Sequence, residues 1–234
     1  MRKALKSALL VMVLTMWGVE SLAGEITDLE DCYGETLEIK MPSKFGDGIE
    51  TEYTYFSLPA PNAWLVNIGD GKLLDDVPCQ ANGDLSEPVP SRNLWGGFFD
   101  PRLGHERKTL EVDGGIRLHT LRITSPNFDS IVRQEAWWLD NVLSLATKNA
   151  EGYLRRPSVE GDAVGGTWSF PESYLSPVGT RIRMGCALTC DIEYRIDRNL
   201  KIRYQLQVPD RNRDYDWIEI DRVARKVVLG WITD

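Results

Sequence analysis

Histidine is the scarcest chemical resource of this 234-residue chain, with only His105 and His119 present. Nucleophile–base catalysis would have to draw on one of these two or on a carboxylate. There is no GxSxG elbow, HExxH helix, P-loop or dinucleotide-binding glycine pattern. Their absence removes the sequence-legible forms of serine hydrolysis, zinc proteolysis and nucleotide binding. Neither histidine has a partner at metal-ligand spacing, so the expectation is no metal, no cofactor and no catalytic residue. Basic residues are also the minority, 27 Lys+Arg against 35 Asp+Glu, for a formal charge of -8. A deficit of that sign argues against nucleic acid or an anionic membrane surface as partner, since both need a basic patch. It suits a basic protein as partner, and an acidic balance also helps to keep a chain soluble. Internal repeats and low-complexity tracts are missing as well.

Long apolar runs are missing everywhere but the N-terminus. Met1 to Lys6 is basic and free of acids, Ala8 to Val19 is apolar apart from Thr15 and Gly18, and Ser21-Leu22-Ala23 ends in small residues. This is the layout of a secretory signal, and a run this short falls below the ~20 residues of a spanning helix. Residues 1–23 are therefore expected to be a cleaved signal peptide and residues 24–234 a single α+β domain, periplasmic or secreted. Cleavage removes Arg2, Lys3, Lys6 and Glu20, which moves the formal charge from -8 to -10. A minor lobe boundary, if there is one, falls in the Pro- and Gly-bearing stretch 80–93.

Four cysteines, Cys32, Cys79, Cys186 and Cys190, allow three pairings. Cys186-Ala187-Leu188-Thr189-Cys190 sits where two strands meet, so these two thiols can pair across the turn, which leaves Cys32 with Cys79. The CxxxC spacing differs from that of the redox motif, and a zinc site is poorly served by two histidines.

The C-terminal quarter carries the clearest pattern. Arg181–Met184, Asp191–Ile196 and Ile202–Val208 alternate polar and apolar residues, which predicts a three-stranded antiparallel meander. Asp216 and Glu219 have capping-box spacing. Trp217, Ile220, Val223, Ala224, Val227 and Trp231 then follow on one helical stripe that should pack on that meander. A second amphipathic helix is expected from about Ser130 to Ala146, burying Val132, Ala136, Leu139, Leu143 and Ala146. Its adjacent Trp137 and Trp138 would both fit a wide buried face. Thr36–Met41, Tyr53–Phe56, Trp64–Ile68 and Ile116–Ile123 read as further strands, the last with a β-bulge near Thr120. The fold class is α+β, mainly antiparallel sheet with two helices.

Two stretches are candidates for binding another protein. Trp95, Phe98 and Phe99 surround Gly96-Gly97, which predicts a bend carrying aromatic anchors or capping the core. Asp210, Asp214 and Tyr215 lie in a mixed-charge loop that leads into the last helix. Asp70, Asp75 and Asp76 offer a glycosidase-like carboxylate pair, although unpaired surface acids are far commoner.

The signal segment, the lack of a catalytic motif, the acidic balance and the tryptophan-rich elements together resemble the periplasmic immunity proteins of type VI secretion effector–immunity pairs. The resemblance is one of general character over residues 24–234, without a shared motif, so no role passes to a numbered residue. It implies a protein that inhibits a toxin by filling its cleft with loops or acidic residues, and the acidic balance noted above suits a toxin with a basic surface. The other expectations are an exported hydrolase using carboxylates and a histidine, and a non-inhibitory module that binds envelope components.

Overall fold

The computed structural model describes residues 36–46, 49–59, 63–68, 72–73, 88–98, 110–112, 115–126, 128–158 and 164–233. Residues 1–23, expected above to be a signal peptide, and Cys32, Cys79, Asp70, Asp75, Asp76, Phe99 and His105 lie outside them.

Among the described residues, two sheets and two helices build the fold, which is α+β and mostly antiparallel. The smaller sheet starts from strands β1 (Thr36–Gly46) and β2 (Ile49–Pro59), paired antiparallel with Leu37 opposite Leu58 and Ile39 opposite Phe56. These four side chains are fully buried, so one face of the hairpin looks into the core. The register shifts just after Pro42, where the missing proline N–H interrupts the ladder. The Ser125 hydroxyl donates to the Pro42 carbonyl and ties that point to the other sheet.

The larger sheet includes β3 (Ala63–Ile68), β4 (Lys72–Leu73), β6 (Asn93–Gly97), β7 (Leu110–Val112) and β8 (Ile116–Thr124). It continues through β9 (Thr147–Lys148), β10 (Leu154–Pro157), β11 (Gly166–Ser169), β12 (Arg183–Cys186), β13 (Cys190–Arg195) and β14 (Lys201–Gln207). The order is β4-β3-β6-β8-β14-β13-β12-β11-β10-β9, with β7 also against β8. The expected meander is its β12-β13-β14 portion. The expected bulge is present too. Leu121 faces Tyr204 and Leu118 faces Leu206, so β8 spends one extra residue there and both leucines reach the core. At the start of β11, Gly166 has φ +122°, and a Cβ would collide with the Arg156 carbonyl and the Pro157 backbone.

Period-2 alternation gives this sheet one apolar and one polar face. Ile192, Tyr194, Ile202, Tyr204, Leu206, Leu94 and Ile123 are buried on the inner face. They share one hydrophobic cluster with Leu37, Ile39, Met41, Phe56 and Leu58 of the smaller sheet. The helix α2 (Trp217–Leu229) lies on that inner side, burying Trp217, Ile220, Ala224 and Val228. Asp216 caps it, accepting from the Glu219 N–H at 3.0 Å. The reciprocal half of a capping box is replaced by a forward pair, Glu219 to Arg222 at 3.2 Å. After α2, Trp231 is buried with its ring stacked 6.5 Å from Phe98. Strand β15 (Ile232–Thr233) then pairs with β2, and β5 (Val89–Pro90) runs parallel to β1, which completes the smaller sheet.

The helix α1 (Phe128–Asn141) departs from its expected facing. Ile131 and Trp138 are buried, and so is Leu143 just past its end as expected, while Ala136 is exposed and Val132 and Leu139 are about two-fifths exposed. The helix lies over the polar outer face of the sheet, where its partners are charged. Glu135 pairs with Arg195 at 3.0 Å, and the Arg183 guanidinium sits 5.5 Å from the centre of the Trp138 ring. An apolar stripe has nothing apolar to meet there, so the helix turns its Trp138 edge inward instead. The face is consequently narrow, and Trp137 stays 61% exposed. The helix also ends earlier than expected, passing into a short 3-10 turn at Leu143–Leu145.

Candidate binding surface

The β12–β13 hairpin ends in a tip closed by the Cys186–Cys190 disulfide. Inside the closure the Ala187 N–H donates to the Thr189 carbonyl at 2.9 Å. Leu188 is thereby pushed outward and is 95% exposed. Two neighbours brace the tip from outside. The Gln205 amide donates to Thr189 Oγ1 at 3.0 Å, and the Arg211 guanidinium donates to the Ala187 carbonyl. Arg211 belongs to the charged loop 208–216, so hairpin tip and loop form one surface.

The loop has its own internal post. The Tyr215 hydroxyl donates to the Asp210 carbonyl at 2.9 Å and accepts from the Asp210 N–H at 3.1 Å. Its ring lies 5.4 Å from Trp217 and beneath Arg213, and the residue is 7% exposed. Tyr215 is therefore a support and not the surface anchor expected from sequence; a phenol with partners at both ends stays folded in. Asp210 and Asp214 are exposed as expected, with Asp210 also accepting from the Asn212 N–H at 2.9 Å in an Asx turn.

Beside the loop opens a cleft of about 410 Å³. Tyr153, Trp168, Tyr215 and Trp217 supply aromatic lining, and Glu151, Asp214 and Asp216 supply acids against one cation, Arg213. Burial first, then Asp216 and Glu151, pushes the Tyr153 hydroxyl well above its ordinary pKa. Tyr153 thus remains a neutral phenol. His119 does not line this cleft; it is exposed on β8 with Nδ1 2.9 Å from Thr120 Oγ1.

The aromatic stretch around Gly96-Gly97 is not a bend. It forms β6, between β3 and β8, because both glycines accept extended backbone inside a paired ladder. Phe98, just after it, is fully buried, edge-on to Tyr204 at 5.8 Å, and so cannot be an anchor for a partner. Trp95 points to the polar outer face, half-buried, with the Arg122 guanidinium 4.6 Å above its ring.

One constellation escaped the sequence reading. Asp221 is completely buried within α2, where it accepts from Tyr204 at 2.5 Å, from Tyr174 at 2.8 Å and from Arg225 at 2.7 Å. The signal was present, since position 221 falls on the same stripe as Trp217 and Val228 with an arginine four residues on. A carboxylate there has to find donors inside the core. Lining no cavity described above, the group organises the core between α2 and the sheet.

Compared with known protein families, curated proteins and solved structures, the chain shows no match.

Proposed function

We propose that this is an exported protein that acts by binding another protein, in the manner of an immunity protein that blocks a toxin in the periplasm. The observation that carries the reading is Leu188, a 95% exposed apolar side chain on a disulfide-closed tip. A lone exposed leucine is ordinary on a protein surface. A leucine fixed by a covalent closure and braced by Arg211 and Gln205 is pre-organised, which lowers the entropy lost on binding. The neighbouring loop adds Asp210 and Asp214, and the acid-bordered aromatic cleft offers a receptacle for a lysine or arginine side chain. These features favour a partner with a basic surface, and the net negative charge, -8 before and -10 after the expected cleavage, would hasten the encounter.

The test is capture of the partner by mature protein from its own envelope fraction, followed by affinity measurement. Leu188→Asp should weaken binding by more than about 2 kcal/mol, with the unfolding midpoint unchanged. The double variant His105→Ala, His119→Ala should bind and protect like the parent. The hydrolase reading takes over if the histidine variant, still folded, loses all function while Leu188→Asp keeps it.

A further inference from the structure

The outer face of the large sheet holds a second groove of about 410 Å³, whose lining includes Arg92, Asn93, Arg122, Glu193, Lys201 and Arg203. Four of these residues are cationic and one is acidic. That balance is opposite to the rest of a chain whose formal charge is -8. The single acid is already engaged, because Glu193 bridges Arg183 through one oxygen and Lys201, at 2.7 Å, through the other.

The register explains why the charges crowd. Trp95 on β6 faces Arg122 on β8, Arg122 faces Arg203 on β14, and Arg203 faces Glu193 on β13. Two arginines directly opposite each other on neighbouring strands repel, an arrangement that sheets ordinarily avoid. Arg203 finds relief in Asp191, at 3.1 Å. Arg122 has no carboxylate among the described residues. One nitrogen donates to Asn93 Oδ1 at 3.2 Å, the guanidinium face lies on Trp95, and its Nε is buried without a partner. An arginine flattened on an aromatic ring keeps its edge donors aimed in fixed directions, the geometry suited to a bidentate oxyanion.

We propose that this groove binds a small polyanion, a molecule carrying two or more carboxylate or phosphate groups, held by Arg122 and Arg203 with Lys201 and Arg92 completing the charge. Its volume lies within the range of small-molecule sites. Burial lowers the pKa of the Lys201 ammonium although Glu193 opposes this, so a bound anion would also favour the protonated amine. The site shares no lining residue with the tip, the loop or the acid-bordered cleft, and it stands or fails independently of the protein-binding reading.

The experiment is calorimetric titration of the mature protein with pyrophosphate and, separately, citrate, with acetate and chloride as monovalent controls. Saturable binding with a Kd at or below about 1 mM is expected for at least one polyanion, and the two arms show which acid group the groove prefers. Arg203→Gln, a substitution at a half-exposed side chain, should weaken it at least about tenfold, and Arg122→Gln at least as much. Arg156→Gln, exposed on β10 away from the groove lining, should leave it unchanged. If Arg122→Gln fails to fold, Arg203→Gln alone decides. No saturable binding of either polyanion overturns the proposal, as does binding that Arg203→Gln leaves intact.

Discussion

Two buried tyrosines around Asp221 set how this core responds to alkali. The hydroxyls of Tyr194 and Tyr204, both in the core around it, are pushed well above their ordinary pKa of 10.0, first by burial and then by the Asp221 carboxylate. A raised native pKa means that the folded state keeps the phenol proton while the unfolded chain can release it. The stabilising contribution is thus complete below the unfolded value and declines as pH rises past it. Stability should fall above about pH 10 by about 1.4 kcal/mol per pH unit for each tyrosine. Urea titrations across that window measure the slope, and the part of the tyrosinate absorbance that Tyr194→Phe and Tyr204→Phe remove should be the part that rises only as the protein unfolds. A folded protein whose Tyr194 and Tyr204 ionise near the ordinary value would contradict this account of the core.

At the scale of the element, α1 shows what a hydrophobic pattern can and cannot report. Its existence was legible, because Val132, Ala136, Leu139 and Leu143 keep a regular helical period. Its facing was not, because the period alone does not say which surface the helix will meet. The sheet face beneath it is polar, and a tryptophan under an arginine satisfies that face better than a row of valine, alanine and leucine. The adjacent tryptophans provide the check. Trp138→Ala should cost about 3 kcal/mol of stability, and Trp137→Ala less than about 0.5 kcal/mol, by chemical denaturation. The β6 stretch taught the converse lesson. Gly96-Gly97 reads as a break in isolation, yet strands on both sides supply ladder partners and extended backbone wins. The C-terminal meander and α2 were read correctly because strict alternation and a capping aspartate are local signals that tertiary contacts reinforce. The proposed binding surface was half legible. Asp210 and Asp214 were visible as a charged loop, but its union with Leu188 depends on one bond from Arg211 to a strand-turn carbonyl. No pattern in the sequence announces that bond.

The whole molecule is held at one point by residues from both ends of the described chain. Trp231 stacks on Phe98, its carbonyl accepts from the Ser57 N–H at 2.7 Å, and β15 follows directly onto β2. Trp231→Ala should therefore destabilise the protein by about 3–5 kcal/mol, read as a shift in the denaturation midpoint. The transition should remain single, because the small sheet and the large sheet share one apolar cluster. A separate early transition of residues 36–59 in this variant would show that the two sheets melt independently. The same closure sets a timetable for folding. The hairpin of β1 and β2 can form early, but its outer edge waits for a strand that docks only after α2 has found the large sheet. Until then β2 offers open backbone donors and acceptors to any other extended chain. Refolding should accordingly be slow for a protein of this size and increasingly prone to intermolecular strand exchange as concentration rises.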